Sequence, residues 1–357
     1  MAERRAPEPI VISAVGVVSP IGHSAPIAYT SMRAGLSRLG LSPELRIRDG
    51  RGKLMSVVCG AATGVTDGHR RFLRLYRMAL RAWSEALAQG RLAASDLSDT
   101  HVYLCLAEAE RPGLDNRAAT GLMRKACAAL GLPDLSSATA VGLHGHAGPL
   151  MALQTACRSV ASGACRRAFV VGVDTYLDEL SLQWLADTGR LKVEGQAKGF
   201  VPGEGAAVLL IEQASSARAR QVMPLAQVAG VGAAMETQTI FDKKPSTGEA
   251  LTQALRAATR QAGPCPLVVC DLNGERYRAQ EWGLVLARTQ GAQGAQLTWH
   301  AADCMGDAGA ASGALSLVWA AMALSRRHAP GNAALIWGAS DDGERGAAVL
   351  QAMPQAA

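Results

Sequence analysis

Aromatic residues make up only 4% of this 357-residue chain, and charged residues 18%. Several absences narrow the field. No apolar run approaches the ~18 residues that a bilayer-spanning helix needs, which argues against a membrane protein. The eight cysteines, Cys59, Cys105, Cys127, Cys157, Cys165, Cys265, Cys270 and Cys304, include no Cys-x-x-Cys pair and no zinc-type His spacing. Most lie in apolar runs such as SVVCGAA and LVVCDLN, so they read as small buried hydrophobes kept reduced in a cytoplasmic protein. No Walker-type lysine and no Gly-x-Gly-x-x-Gly follows a strand, which excludes the common phosphate loops. The pattern implies neither a cofactor nor a metal. The net charge is +6, but too few aromatics accompany the basic residues for a nucleic-acid surface.

Hydrophobic residues reach 49%, with 38 glycines. That suits one large α/β unit or two fused ones of roughly 150–180 residues each. The N-terminal MAERRAPEPIVISAVG has charge and then an apolar stretch, but proline interrupts it and no small-residue cleavage site follows. It reads as a strand rather than a signal peptide.

An internal repeat organises the rest. GPLMALQTACRSVASGACRRAFVVGVD (148–174) and GALSLVWAAMALSRRHAPGNAALIWGASDD (313–342) each run from a Gly through a helical apolar pattern and a turn into a strand ending in Gly. The offset is 165 residues at Gly148 and Gly313 and 166 at Gly172 and Gly338. GEGAAVLLIE (203–212) echoes GERGAAVLQA (343–352), and the opening strands 10–20 and 224–234 match in the same order. Two similar α/β halves follow, residues 1–213 and 224–357. Residues 71–90 and 248–263 read as corresponding amphipathic helices. AFVVGV and AALIWG are apolar on both faces, as strands between helix layers are. The final Gly-Ala-Ala-Val strand of each half is expected to form a hairpin with the strand before it.

Arg70, Arg74, Arg77 and Arg81 fall at i, i+4, i+7 and i+11 in HRRFLRLYRMALRAW. They form either a solvated helix face or a docking strip for an acidic partner. Gly203 and Gly205, around Glu204, suit a tight turn into a buried strand.

IVISAVGVVSPIG followed by MRAGLS, then ADTGRL (186–191), GFVPGEGAAVLLIE (199–212) and RAR (218–220) resemble the β-ketoacyl-acyl-carrier-protein synthases. The resemblance covers nearly the whole chain and implies the thiolase-like fold, two similar α/β halves in a layered α/β/α/β/α unit. It also implies a nucleophilic cysteine on a strand-to-helix turn, where the helix macrodipole favours thiolate. Two histidines would stabilise the enolate, a lysine would support them, and backbone amides would form an oxyanion hole.

Cys157 in LQTACRSV is the tempting nucleophile, yet only five residues separate it from Gly163, too few for the helix that follows the family's cysteine. Seventeen positions before Gly163, at a bend between an apolar strand and a helix with Pro149 in its first turn, stands His146. The resemblance places Asn273, in LNGERY, at the first histidine. It places Asp307, in MGDAGAASGAL, at the second, and Ala302 at the lysine. Glu275, Arg276 and Tyr277 replace small hydroxyl residues of the pantetheine channel. Removing a nucleophile from a cooperative site costs roughly 10⁶ in kcat, and a carboxylate at position 307 has the wrong sign to bind a developing oxyanion.

The chain is therefore read as a degenerate, non-catalytic ketosynthase-like protein. It would act as a chain-length-factor-like subunit, or as an adaptor or chaperone-like binder. Its expected partners are a second copy or an active ketosynthase, joined at an edge strand containing 169–174, and an acidic carrier protein or other client. Neither nucleic acid nor membrane is expected. The rival reading is an acyl hydrolase or acyltransferase rebuilt around His146 and Asp307. A metal site on His144, His146 and Asp307 is the least favoured.

Overall fold

The computed structural model describes residues 8–48, 52–113, 118–193, 198–242, 244–289 and 294–354. The first half contributes β1 (Ile10–Val18), β2 (Leu39–Arg48), β3 (Leu54–Gly60), β4 (Thr100–Cys105), β5 (Thr139–Gly142), β6 (Arg167–Thr175) and β7 (Glu204–Gln213). Its helices are α1 (Ala25–Arg33), α2 (Phe72–Gln89), α3 (Ala118–Ala129), α4 (Gly148–Ala161) and α5 (Glu179–Asp187), and α6 (Ala214–Ala219) leads on to the second half. The second half adds β8 (Ala226–Met235), β9 (Leu267–Cys270), β10 (Leu297–Trp299), β11 (Ala333–Ala339) and β12 (Glu344–Gln351). Its helices are α7 (Glu249–Thr259), α8 (Arg276–Arg288), α9 (Ala302–Met305) and α10 (Ala310–Ser325).

Ten strands form one sheet in the order β10-β9-β11-β12-β8-β1-β7-β6-β4-β5, and β2 pairs with β3 apart from it. The order is a palindrome of roles about the β8–β1 junction, where only Val11↔Gln227 and Ile12↔Ala226 are paired. Helices α4 and α10 pack on strands of both half-sheets and on each other. Outside them, α2 and α3 close a second core over the first half-sheet, and α7 and α8 close a third over the other. These are the five layers that the family resemblance implies.

Local sequence explains the elements. Helix α2 buries Leu75, Met78, Ala79, Ala82, Trp83 and Ala86, an i, i+3, i+4 stripe, and stops at Gly90. Helix α10 is apolar all round and correspondingly buried from Gly313 to Leu324. Gly172 and Gly338, the anchors of the repeat, mark close crossings. A Cβ on Gly172 would stand 2.8 Å from Ala314 Cβ and 2.9 Å from Ala310 O, and one on Gly338 would stand 3.1 Å from His146 O. Each half's strand thus meets the central helix of the other half.

Two expectations change. The strand holding 169–174, β6, lies between β4 and β7, so it is not the edge. A strand buried on both faces belongs inside a sheet, and the edge of the first half is the short β5, whose Val141 is 40% exposed. The hairpin expectation holds for β11–β12. In the first half β6 and β7 also pair antiparallel, but residues 176–203, with α5, intervene. No helix among the described residues is long and apolar enough to cross a membrane.

Candidate active site and what fills it

The bend between β5 and α4 is a single 3-10 turn, Gly145–Ala147, with Pro149 in the first turn of the helix. Ala147 N–H donates to Ser340 Oγ at 2.9 Å, and Ser340 Oγ donates to the His144 carbonyl, tying the bend to the β11–β12 turn. His146 sits on this turn and is fully buried. Its Nε2 lies 2.8 and 3.0 Å from the two oxygens of Asp307.

Asp307 follows α9 through Gly306. Its carboxylate also accepts from Asn273 Nδ2 at 2.6 Å, Gly309 N at 2.8 Å and Ser312 Oγ at 3.4 Å. Three of the four positions singled out in the sequence, His146, Asn273 and Asp307, therefore share one hydrogen-bonded group. Ala302 opens α9 and, with Asp307, lines a cavity of ≈ 10 Å³, room for about one water molecule.

Charges fill the remaining space. Arg190, from the segment between β6 and β7, grips Glu275 at 2.7 and 3.0 Å and Asp341 at 2.6 and 3.0 Å. Its guanidinium also stands 5.5 Å from the Trp184 ring centroid, 5.6 Å from Phe200 and 6.0 Å from Phe241. Arg278 pairs with Asp271 and Asp341 at 3.0 Å and reaches His146 Nδ1 at 3.4 Å. Arg111 pairs with Asp174 and donates to Thr175 O at 3.2 Å. Glu275, which the resemblance set in the pantetheine channel, serves here as an anchor for Arg190. Its neighbour Tyr277 donates its hydroxyl to Gln238 O.

Electrostatics set the protonation state. Burial alone would keep the His146 imidazole neutral, but the adjacent Asp307 outweighs it and raises the group to about 10. Burial likewise works against Asp307, yet His146 and then Arg278 hold its carboxyl well below the usual range. With Nε2 held on Asp307 and Nδ1 facing the Arg278 guanidinium at 3.4 Å, neither nitrogen of the fully buried ring is presented to a substrate, which makes His146 a poor general base. Among the described residues no three His, Cys, Asp or Glu side chains are arranged to hold a metal ion. His144 turns outward and pairs with Glu344 at 3.0 Å.

None of the eight cysteines occupies the bend. Cys157 lies in the middle of α4, half-buried against the central core, and burial pushes its thiol up to about 12. Cys105, at the end of β4 against the start of α4, is pushed by burial to about 12 as well.

The arginine strip does not lie free on one face. Arg70 precedes α2, and Arg74 turns inward to Glu204, with both contacts at 2.8 Å. Arg77 Nε donates to Val65 O at 2.7 Å and Arg81 Nε to His23 O at 3.2 Å. Arg74 is drawn in because Glu204 is buried and a buried carboxylate demands a cation. Glu204 also accepts from Ala62 N, Thr66 Oγ1 and Thr175 Oγ1. The glycine beside it, Gly203, is required by close approach rather than by a turn: a Cβ there would stand 2.5 Å from Met305 O.

Sequence reading missed Arg190, Arg278, Glu108 and Asp341. Two of these follow the C-terminal ends of strands, as LAEAER after β4 and SDDGE after β11, where α/β sheets present their working side chains. That placement was an available signal.

Comparison with known proteins bears on the family and the fold. The β-ketoacyl synthase N-terminal domain family matches residues 7–217. A phenolphthiocerol/phthiocerol polyketide synthase polypeptide, in both Mycobacterium bovis and Mycobacterium tuberculosis, is 26% identical over 198 residues, 51% of this chain. The chain spans about a tenth of the length of those relatives, the match covering 10% of them. A type II polyketide synthase acyl-carrier protein in complex with its ketosynthase bound to the hexaketide superimposes with a TM-score of 0.80 at 17% identity, over 98% of this chain and 100% of that one. The ishigamide ketosynthase/chain length factor gives the same values. The oxazolomycin ketosynthase domain of Streptomyces albus gives 0.78 at 16% identity, over 98% and 75% of the two chains. At such identities these structures share the fold.

Proposed function

The chain belongs to the β-ketoacyl synthase family, and from that premise we propose that it is a non-catalytic, ketosynthase-like partner subunit rather than a condensing enzyme. One observation carries the proposal: where the resemblance places a nucleophilic cysteine stands His146, fully buried and paired with Asp307 at 2.8 Å, beside a cavity of ≈ 10 Å³. A thioester intermediate has no sulfur to form on at that position, and the cavity beside it is too small for an acyl chain. We further propose that residues 1–213 and 224–357 are the two halves, linked through α6.

Among the structural neighbours are a ketosynthase/chain length factor and a ketosynthase with its acyl-carrier protein, which favours an active ketosynthase and a carrier protein as partners. The unpaired edge of β5 is the contact we assign to a partner subunit, in homo- or heterodimer. Arg70, Arg77 and Arg81, with Arg74 withdrawn, remain the candidate contact for an acidic carrier; an adaptor role would use the same faces with a different client.

The hydrolase reading gains the His146–Asp307 contact. It is weakened because the ring is fully buried, with its two nitrogens turned to Asp307 and Arg278.

The test is incubation with malonyl- and acyl-loaded carrier protein, followed by intact mass and CO2 measurement. The proposal expects an unmodified chain and no decarboxylation above buffer. An acyl adduct on any residue, or thioester loss abolished in His146→Ala, would overturn it.

A further inference from the structure

A cavity of ≈ 470 Å³ opens between the β2–β3 hairpin, the segment leading into α2 and the start of α5. Its volume is that of a small-molecule site, and it shares no lining residue with the group around His146. Charges of both signs line it. Arg38, Arg70 and Arg71 supply cations from the chain before β2 and before α2. Glu44, Asp178 and Glu179 supply carboxylates from β2 and the start of α5, and Leu45 and Leu177 add apolar surface.

Opposite charges around one small volume attract each other and ordinarily pair. Here, among the described residues, no ion pair joins these three cations to these three carboxylates. The other charges of the wall are already committed, Arg74 to Glu204 at 2.8 Å and Asp67 to Gly64 N at 2.8 Å. Asp178 is fixed in place and only 7% exposed, its Oδ1 capping α5 by accepting from Leu180 N and Ser181 N at 3.0 Å. Helix α2 opens at Phe72 with no capping side chain, which favours an anion beside it. Arg71, at that N-cap, holds φ 46° and ψ −120°, a conformation that suits glycine. A long side chain kept there against its backbone preference marks a constrained position.

We propose that this cavity binds a small zwitterion of the ω-amino-acid class. Its carboxylate is met by Arg70 and Arg71 beside the N-terminus of α2, and its ammonium by Asp178 and Glu179. The methylene groups between the two ends rest on Leu45 and Leu177. A simple anion meets three carboxylates and a simple cation meets three arginines, so either alone leaves one set of charges unrelieved. The guanidinium forks hold the acid end in a defined orientation. The site needs neither a carrier protein nor a partner subunit, so it stands apart from the partner reading.

The probe is 6-aminohexanoate, with hexanoate and hexylammonium as its singly charged counterparts, each titrated calorimetrically into the full chain at low salt and pH 7.5. We expect saturable binding of 6-aminohexanoate, and binding weaker by about tenfold or more for each counterpart. Arg71→Gln should weaken 6-aminohexanoate and hexanoate by about tenfold and spare hexylammonium. Glu179→Gln should weaken 6-aminohexanoate and hexylammonium and spare hexanoate. Both positions are exposed, so the fold tolerates each change, and a general loss of structure would not sort the probes by charge. No saturable binding, a counterpart that binds as tightly as 6-aminohexanoate, or an affinity for 6-aminohexanoate unchanged in either variant would overturn the proposal.

Discussion

The two halves of this chain share their scaffold and differ in what they place at the seam between them. In the main sheet β1, β7, β6, β4 and β5 are ordered as β8, β12, β11, β9 and β10, and the crossings at Gly172 and Gly338 correspond. The polar side chains at the seam do not. The first half supplies Arg111, His146 and Arg190 with Glu108 and Asp174; the second supplies Asp271, Glu275, Asp307 and Asp341 with Arg278. Packing requires shape alone, so duplication preserves it. At the seam the asymmetry takes the form of ion pairs joining a cationic face to an anionic one.

The pairs that cross the seam should matter most. Arg190→Ala leaves Glu275 and Asp341 without their shared cation in a buried setting, and should cost about 3–5 kcal/mol in urea unfolding; a loss below about 1 kcal/mol would mean that the halves associate through packing alone.

Asp307→Asn should come next, at about 2–3 kcal/mol, with a distinctive pH dependence. The folded imidazole of His146 titrates at about 10, above its ordinary value near 6.5. Its contribution is therefore complete below about pH 6.5 and lost as pH rises through about 10. Asp307 itself, held below the usual carboxylate range, contributes at all higher pH and loses its contribution only in acid. Stability of the unmodified chain should decline between about pH 6.5 and 10, and Asp307→Asn should flatten that decline.

The shared scaffold offers a smaller, graded comparison. Gly172→Ala drives a Cβ to 2.8 Å from Ala314 Cβ and 2.9 Å from Ala310 O, whereas Gly338→Ala reaches only 3.1 Å from His146 O. We expect about 1–3 kcal/mol for the first and a smaller loss for the second, measured as paired thermal melts. Equal effects would deny that the two crossings differ in tightness.

Asp342→Asn should act least and with the opposite sign. Partial burial, and then the charges of Glu108, Glu344, Asp341 and Glu110, raise the Asp342 carboxyl to about 6. Such a group disfavours the folded state once deprotonated, so its penalty is absent below its ordinary range and complete above about pH 6. Removing the charge should raise the melting temperature by about 1–2 °C at pH 8 and leave it unchanged at pH 4.

The sequence carried more of the scaffold than of the seam. Periodicity and glycine spacing are local signals, and they locate α2, α4, α10 and the strand pairs; the bend at His146 comes from the family resemblance. The His146–Asp307 contact is also legible, because the family resemblance places both positions in one pocket. Edge and centre are not separated: β6 reads as an edge by analogy although its run is apolar on both faces, and the true edge, TAVG in β5, is too short to stand out. The ion pairs are not legible because Arg190 and Asp341 are 151 residues apart, and nothing local to an arginine says whether it faces solvent or a buried carboxylate. Arg74 shows the same limit. Its helical spacing with Arg77 and Arg81 suggests one exposed stripe, while Glu204, on a distant strand, draws it inward.

The most direct test of the central claim is the titration of the His146 ring by NMR, assigned by its loss in His146→Phe. The ring is expected to stay an imidazolium through pH 8 and to release its proton near pH 10, as a group locked between the halves must. A ring that titrates at or below its ordinary value near 6.5 would be a free base in an open site, contradicting the charge lock and restoring catalysis as the reading.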